Sequence, residues 1–289
     1  MIGLFKHMLF AAVAGILLVG CSVKENRWGC PTVLVVESTE ELPPKSTSVV
    51  TVYHSDLEEM MAQVRVDTDS LFGGHFHINL PHRGNLEVSV ICGIKDMDLF
   101  DGLVCIRDAK QCDSLFRLKG TILADTDSVF FEKEPQKEFT TLSFRINNTN
   151  EPYMFKVKGL WDRVYAGDFR PGRGNLRFDV NDEFYPGTNW SCRLSRQGDE
   201  QLEMEVYRKT PVEQSGVMTK GGEAPANASG EEYHLWRSVP LGRIMTLAGY
   251  DRDAVPMQDV SVDVDLTEGI VSIRVGDWDK VYDYNIYTF

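Results

Sequence analysis

Apolar and polar residues alternate along most of this chain with a period of two, the pattern of a strand with one face in a core and the other in water. Leu202, Met204 and Val206 stand against Glu203 and Glu205, and Val260, Val262, Val264 and Leu266 against Ser261, Asp263 and Asp265. Phe76, Ile78 and Leu80 alternate with His75, His77 and Asn79, and Leu86, Val88 and Val90 with Glu87 and Ser89. The turn cluster Pro81-His82-Arg83-Gly84-Asn85 between these two runs predicts a hairpin. Val33 to Val36 is apolar throughout, as a strand buried on both faces is. Other β-branched or aromatic runs predict strands at Ser48 to Tyr53, Leu103 to Ile106, Leu115 to Leu123, Ser128 to Glu132 and Phe139 to Ile146. The same holds for Tyr153 to Leu160, Leu176 to Val180, Trp190 to Leu194, Ile270 to Val275 and Val281 to Tyr287.

A few stretches break this pattern. Leu57 to Val66 fits two readings, because Leu57, Met60, Met61 and Val64 keep a helical spacing while Val64-Arg65-Val66 looks extended. Pro240 followed by Leu241, Ile244, Met245 and Leu247 predicts one short helix, ended near Gly249. Thr210 to Glu232 holds Pro211, Gly216, Gly221, Gly222, Pro225 and Gly230 among polar residues, and predicts a mobile loop (210–232) inside a domain. Glu134-Pro135-Gln136-Lys137 marks the expected boundary between an N-terminal unit, 30–134, and a C-terminal unit, 135–289. Many short strands, regular turn signals and almost no helix predict an all-β chain of two tandem antiparallel β-sandwiches. No repeat of 20 to 50 residues, the mark of a solenoid or propeller, is visible.

The first stretch sets where these units act. Met1 to Cys21 has Lys6 in a basic start, an apolar run from Met8 to Val19, and then Gly20-Cys21. The run is short for a bilayer core of roughly 30 Å, which takes about 20 apolar residues, and it reads as a secretory signal. Leu17-Leu18-Val19-Gly20-Cys21 resembles a bacterial lipobox. That pattern implies cleavage between Gly20 and Cys21 (signal peptide 1–20), a lipid on the Cys21 thiol, and a lipidated tether over 21–29. Two or more acyl chains anchor stably where one is marginal, since each buried CH₂ contributes roughly 0.8 kcal/mol.

Acidic residues outnumber basic ones by 43 to 30, a net charge of −13, which excludes the basic face a nucleic-acid partner requires. With Cys21 lipidated, five cysteines remain: Cys30, Cys92, Cys105, Cys112 and Cys192. None has CxxC spacing, and an odd number outside the cytosol leaves at least one free thiol or an intermolecular bond.

Little in the sequence points to chemistry. His75 and His77 share one face of a strand with His82 nearby, but that face is polar and no cysteine or carboxylate stands close in the chain as a third ligand, so they read as solvated side chains. Asp259, Asp263 and Asp265, with Asp251 and Asp253 before them, are oxygen ligands in principle. No EF-hand pattern accompanies them, and alternation with valines explains three as the wet side of a strand. Pro171-Gly172-Arg173-Gly174 reads as a turn, not a phosphate loop. GxSxG, HExxH and Cys-His signatures are missing. No catalytic residue, metal site or cofactor is assigned, and the chain is read as a non-enzyme.

Lipobox, short polar tether and a Cys30-Pro31 pair leading into the first strand resemble the start of the FimB-like fimbrial anchor and accessory lipoproteins of Gram-negative gut and oral anaerobes. Phe76 to Val90 is similar to their strand, Leu-Pro, turn and strand pattern. Val239-Pro240-Leu241-Gly242, Leu247-Ala248-Gly249-Tyr250-Asp251, the aspartate-rich strand and Val275-Gly276-Asp277-Trp278 are similar to their close. The resemblance implies transthyretin-like sandwiches, an outer-membrane location, and a fimbrial stalk subunit as partner. It also implies assembly by strand donation, in which a groove vacated by the first strand of one subunit accepts a strand from the next. Here the first strand would stay in place and end the fibre. Val281 to Phe289, with Val281, Tyr282, Tyr284, Ile286 and Thr288 as candidate pairing residues, would meet the stalk or else close its own sandwich. Arg27 and Arg65 are candidate cuts for an arginine-specific protease.

Two other classes were weighed. A glycan-binding lipoprotein of a polysaccharide-uptake system would stack sugars on Trp161, Trp190, Trp236 or Trp278, and a β-scaffold hydrolase would need paired carboxylates that the sequence does not place. Asp69-Ser70-Leu71, Asp113-Ser114-Leu115 and Asp127-Ser128-Val129 resemble O-glycosylation sites of some of the same bacteria.

Overall fold

The computed structural model describes residues 29–73, 76–100, 102–106, 111–147, 153–184, 189–211, 231–276 and 281–285. In chain order the strands are β1 (Thr32–Ser38), β2 (Thr47–His54), β3 (Glu59–Asp67), β4 (Phe76–Leu80), β5 (Gly84–Ile94), β6 (Asp98–Phe100), β7 (Leu103–Cys105), β8 (Phe116–Ala124), β9 (Ser128–Lys133) and β10 (Gln136–Lys137). They continue with β11 (Thr140–Asn147), β12 (Tyr153–Tyr165), β13 (Pro171–Phe184), β14 (Asn189–Leu194), β15 (Glu203–Pro211) and β16 (Glu231–Val239). After the helix α1 (Leu241–Leu247) come β17 (Val260–Asp265), β18 (Ile270–Val275) and β19 (Tyr282–Asn285).

One seven-strand arrangement occurs twice. In the first copy β1 lies between β4, antiparallel, and β9, parallel, and faces a sheet ordered β10-β8-β5-β2-β3. In the second, β11 lies between β14, antiparallel, and β17, parallel, and faces the sheet β16-β15-β12, with β13 on the far side of β12. Strands β1 to β5, β8 and β9 thus correspond in order to β11 to β17. The β18–β19 hairpin extends the second copy beyond β17. Two β-sandwiches in series are what the strand count predicts, though each closes through one parallel pair rather than being antiparallel throughout.

The expected hairpin of Phe76 to Leu80 with Leu86 to Val90 does not form. β4 pairs β1, whereas β5 pairs β2 and β8 in the opposite sheet. The cluster 81–83 is therefore a crossover between sheets, and Arg83 within it is buried. From Glu59 on, the stretch Leu57 to Val66 resolves as strand, because β3 pairs β2, while Leu57 and Glu58 belong to the turn that joins them. Pro171-Gly172-Arg173-Gly174 begins β13 instead of making a turn. β15 and β16 pair up to Pro211 and Glu231, so the expected loop 210–232 springs from the end of a hairpin, and 212–230 lie outside the described residues.

Each sandwich has its own core. Leu34, Val36, Val50, Val52, Val88 and Val90 meet inside the first, and Leu142, Phe144, Phe155, Val157, Met204 and Val262 inside the second. Alternation sends the other faces of β2 and β5 elsewhere: Val49 and Ile91 pack in a third cluster with Val104, Leu115, Phe139, Val164 and Phe169. That cluster joins the two sandwiches, and it explains why the end of β5 is buried on both faces. Strands β6 and β7 build it by leaving the first sandwich and pairing Arg163 to Tyr165 of β12. Asp113 fixes this excursion, its Oδ2 accepting the amides of Lys95, Asp96 and Met97 at 2.8, 2.9 and 3.0 Å. Gly93 has a φ of +93°, and a Cβ there would lie 2.1 Å from the Ser114 carbonyl oxygen, so no larger residue fits the close approach.

A charged triad lies in the same junction. Glu138, 0% exposed, accepts hydrogen bonds from Arg196 Nε at 2.7 Å and Nη2 at 3.1 Å, and its Oε2 lies 3.5 Å from Arg117 Nε. Burial lowers the pKa of both guanidiniums; at Arg196 the Glu138 carboxylate more than offsets this and the pKa rises. Removing one member of such a set strands a buried charge, which costs roughly 3–5 kcal/mol. Glu138→Gln is expected to lower the unfolding free energy by about 3 kcal/mol in urea titrations. An unchanged midpoint would show that the junction does not depend on the carboxylate.

All five cysteines of the described residues are free thiols, more than the one the odd count requires. Burial pushes the Cys92 thiol up to about 12 and raises Cys112 and Cys192 further, so each stays neutral in the fold. Unfolded thiols ionise near pH ~8.5. Because the folded values lie above the unfolded one, the stabilisation is complete below about pH 8.5 and is lost as pH rises toward 12. The unfolding free energy should therefore fall between pH 8.5 and 10, and Cys92→Ala should reduce the slope by about 1.4 kcal/mol per pH unit.

Candidate strand-pairing site

The first strand is the central member of its sheet. Five residue pairs join β1 to β4 and six join it to β9, while Leu34 and Val36 enter the core with no exposed surface. Its ends are tied as well: Val33 N–H donates to the Asp127 carbonyl at 2.9 Å, and Thr39 N–H to that of Lys133 at 3.0 Å. Thr32 Oγ1 donates to the Thr126 carbonyl at 2.9 Å.

Arg83, only 5% exposed, clamps this end of the sandwich. Its guanidinium ion-pairs with Asp127, Nη1 donates to the Asp125 carbonyl at 3.2 Å, and Nε donates to the Pro31 carbonyl at 3.3 Å. One side chain from the crossover thus fastens the residue before β1 to the turn before β9. The sequence marked Arg83 only as part of a turn, since its partners lie 44 and 52 residues away.

Withdrawing β1 would leave β4 and β9 facing each other across an empty strand position, lined by the residues that Leu34 and Val36 now cover. Such a slot has unpaired main-chain groups on both sides and pockets at alternate positions, the two features strand addition uses. Between Arg27 and Arg65 the chain contains no arginine, so an arginine-specific cut cannot fall in the loop that follows β1. Arg65 itself lies within β3, with Nη2 donating to the Leu99 carbonyl at 2.8 Å.

At the other end of the chain, β19 is the terminal strand of the sheet β14-β11-β17-β18-β19. Tyr282 and Tyr284 lean on the second core, Asp283 accepts from Ser272 Oγ at 2.6 Å, and Val281 is 47% exposed. As a described element, β19 closes its own sandwich through β18 and leaves its outer side at the sheet edge. Gly20, Cys21, Arg27, Ile286 and Thr288 lie outside the described residues.

The other candidates are not brought together. His77 and His82 are exposed, His75 is outside the described residues, and these contain no group of three metal-ligating side chains. Asp259 accepts from Lys137 and from the Thr141 amide, tying distant strands, whereas Asp251 and Asp265 cap the amides of Asp253 and Thr267 in turns. Trp190 packs on Phe144 with ring centroids 4.9 Å apart, Trp236 on Tyr153 at 6.3 Å, and Trp161 against Gly198. These rings line no common groove, and Trp278 lies outside the described residues. Of the proposed glycosylation triplets, Asp113 is buried and occupied by three amides, while Ser128 is exposed on β9.

No known protein-family profile and no curated protein matches the sequence. Solved structures do share its fold. The fimbrial anchor protein Mfa2 from Porphyromonas gingivalis superposes with a TM-score of 0.54 at 10% identity, covering 88% of this chain and 100% of its own. A candidate polysaccharide-binding protein from Bacteroides thetaiotaomicron gives 0.53 at 9% identity, over 90% and 100% of the two chains. A candidate adhesin from Bacteroides ovatus gives 0.52 at 12% identity, over 89% and 96%. The resemblance seen in the sequence therefore holds at the level of the fold, end to end.

Arg83→Ala should weaken the seating of β1 without unfolding the chain. An expected loss of about 1–3 kcal/mol, with faster hydrogen exchange at the Val33 amide, would follow from the lost clamp. Unchanged exchange there would assign Arg83 no role in holding the strand.

Proposed function

We propose that this chain is an accessory subunit of a surface fimbrium, held to the outer membrane by lipid on Cys21, which anchors or terminates the fibre by strand pairing. The observation that carries this reading is the intact β1, seated centrally, clamped by Arg83 and beyond the reach of an arginine-specific cut in the loop behind it. A subunit whose first strand stays in place offers no groove, so it accepts no donor strand and polymer growth stops at it. The end-to-end likeness to a fimbrial anchor protein supports the reading, as does the lipobox ahead of a short polar tether.

In this mechanism the subunit contributes its C-terminal edge. β19 and the residues after it, from Val281 to Phe289, pair with the last stalk subunit, with main-chain hydrogen bonds giving affinity and Tyr282, Tyr284, Ile286 and Thr288 giving register. Lipid on Cys21 resists the pull of the fibre because two or more acyl chains anchor far more firmly than one. No reaction is required of it.

The test is recovery of fibre from detergent-solubilised outer membrane with the tagged lipoprotein. Full-length chain is expected to bring down a ladder of pilin-like polymers, and deletion of Asn285 to Phe289 to abolish it while the fold is retained. Equal recovery by the truncated chain would remove the C-terminal segment from the mechanism. Recovery of a transporter without any pilin would remove the fimbrial reading itself.

A further inference from the structure

The sheet β14-β11-β17-β18-β19 has an outer face that neither core uses. Cross-strand register lays out two rows on it. One runs Ser191, Ser143, Ser261, Arg274, and the next runs Asn189, Arg145, Asp263, Ser272, Asp283, where Ser272 Oγ already donates to Asp283. Their neighbours Leu142, Phe144, Cys192, Val262 and Ile273 point inward, so the outward residues are short polar side chains, two arginines and the carboxylates Asp263 and Asp283. Residues of both rows line an open cavity of about 500 Å³.

The charges there are unspent. Among the described residues, no ion pair or side-chain hydrogen bond engages Arg145, Arg274 or Asp263. Other cations nearby do meet carboxylates, as Lys137 of β10 does with Asp259 and Lys158 of β12 with Glu205. Arg145 stands across from Asp263 in register yet forms no ion pair with it, and Arg274 forms none either, so in a chain with 43 acidic and 30 basic residues these two guanidiniums are a place where an incoming anion finds cations to engage. They stand on the two strands that flank β17, two strand spacings apart and offset by two residues, so about 12 Å separates their backbones, within reach of one ligand for two long side chains.

We propose that this face binds an acidic saccharide. Arg145 and Arg274 hold its carboxylate, a geometry that the planar guanidinium fork suits. Ser143, Ser191 and Ser261 each offer a donor and acceptors to ring hydroxyls, and Asp263 accepts from one. The mixture of donors and acceptors separates this ligand from an acidic peptide, whose carboxylates would meet Asp263 with repulsion. A peptide main chain also finds nothing to pair with here, because the backbone groups of interior strands are consumed in the ladder. Phe144 and Trp190 also border this cavity, but Phe144 is buried and Trp190 is turned onto it and the core, so recognition rests first on charge and hydrogen bonds.

This face is separate from the outer edge of β19, so its failure and that of the fimbrial reading are distinguishable. The test is calorimetric or NMR titration of the lipid-free full chain with sialyllactose, a glucuronic acid disaccharide, neutral lactose and a hexaglutamate peptide. Saturable binding of at least one acidic sugar, with lactose at least about tenfold weaker, is expected. Arg145→Ala and Arg274→Ala should each weaken that sugar about tenfold and leave the melting temperature unchanged. The proposal is overturned if neither acidic sugar saturates, if lactose binds as well, if both variants bind like the parent, or if hexaglutamate binds more tightly than either sugar.

Discussion

Everything in this fold depends on a long-range parallel pairing made twice. β1 must find β9, and β11 must find β17, before either sandwich closes. Until that happens each first strand has only one antiparallel neighbour, and the core residues beneath it are open to water. Pairing between strands so distant in sequence carries a loop-closure cost that local hairpins do not. The Arg83 clamp offsets part of that cost in the first copy by tying Pro31, Asp125 and Asp127 to a single buried side chain. The same dependence means that the first sandwich is complete only while β1 is seated between β4 and β9.

Local patterns made the strands legible. Glu203 and Glu205 against Leu202, Met204 and Val206 identify β15 without any tertiary knowledge, and the valines and aspartates of β17 do the same. Sheet membership was not legible, because alternation says which face of a strand is wet and nothing about which strand lies beside it. Hence β4 and β5 read as a hairpin although a sandwich crossover separates them. The doubling of topology was equally hidden, since the two copies share strand order rather than residues. Glu138 is the sharpest case. It follows a charged, proline-containing stretch that reads as a linker, yet it is fully buried because Arg196, 58 residues on, returns to meet it.

The site was legible in part. The sequence placed the first strand and the closing strand, and both are where a strand-pairing account needs them, one central and one at an edge. It did not mark Arg83, Arg145 or Arg274, whose significance comes from neighbours that only the folded sheets supply. The histidines and aspartates that looked like ligands are dispersed or serve turns. What remains for function is surface and edge: an open sheet edge at β19, a polar sheet face, and a first strand seated between two neighbours.

The most direct test of this account is the amino terminus of the mature protein, read by mass spectrometry on material taken from the membrane of the cells that make it. A diacylated or triacylated Cys21 followed by an uncut chain through Ser38 is the predicted result. A chain beginning within residues 39–46, or at Val66, would mean that β1 is removed in the cell, and would make this protein a polymerising subunit instead of the end of the fibre.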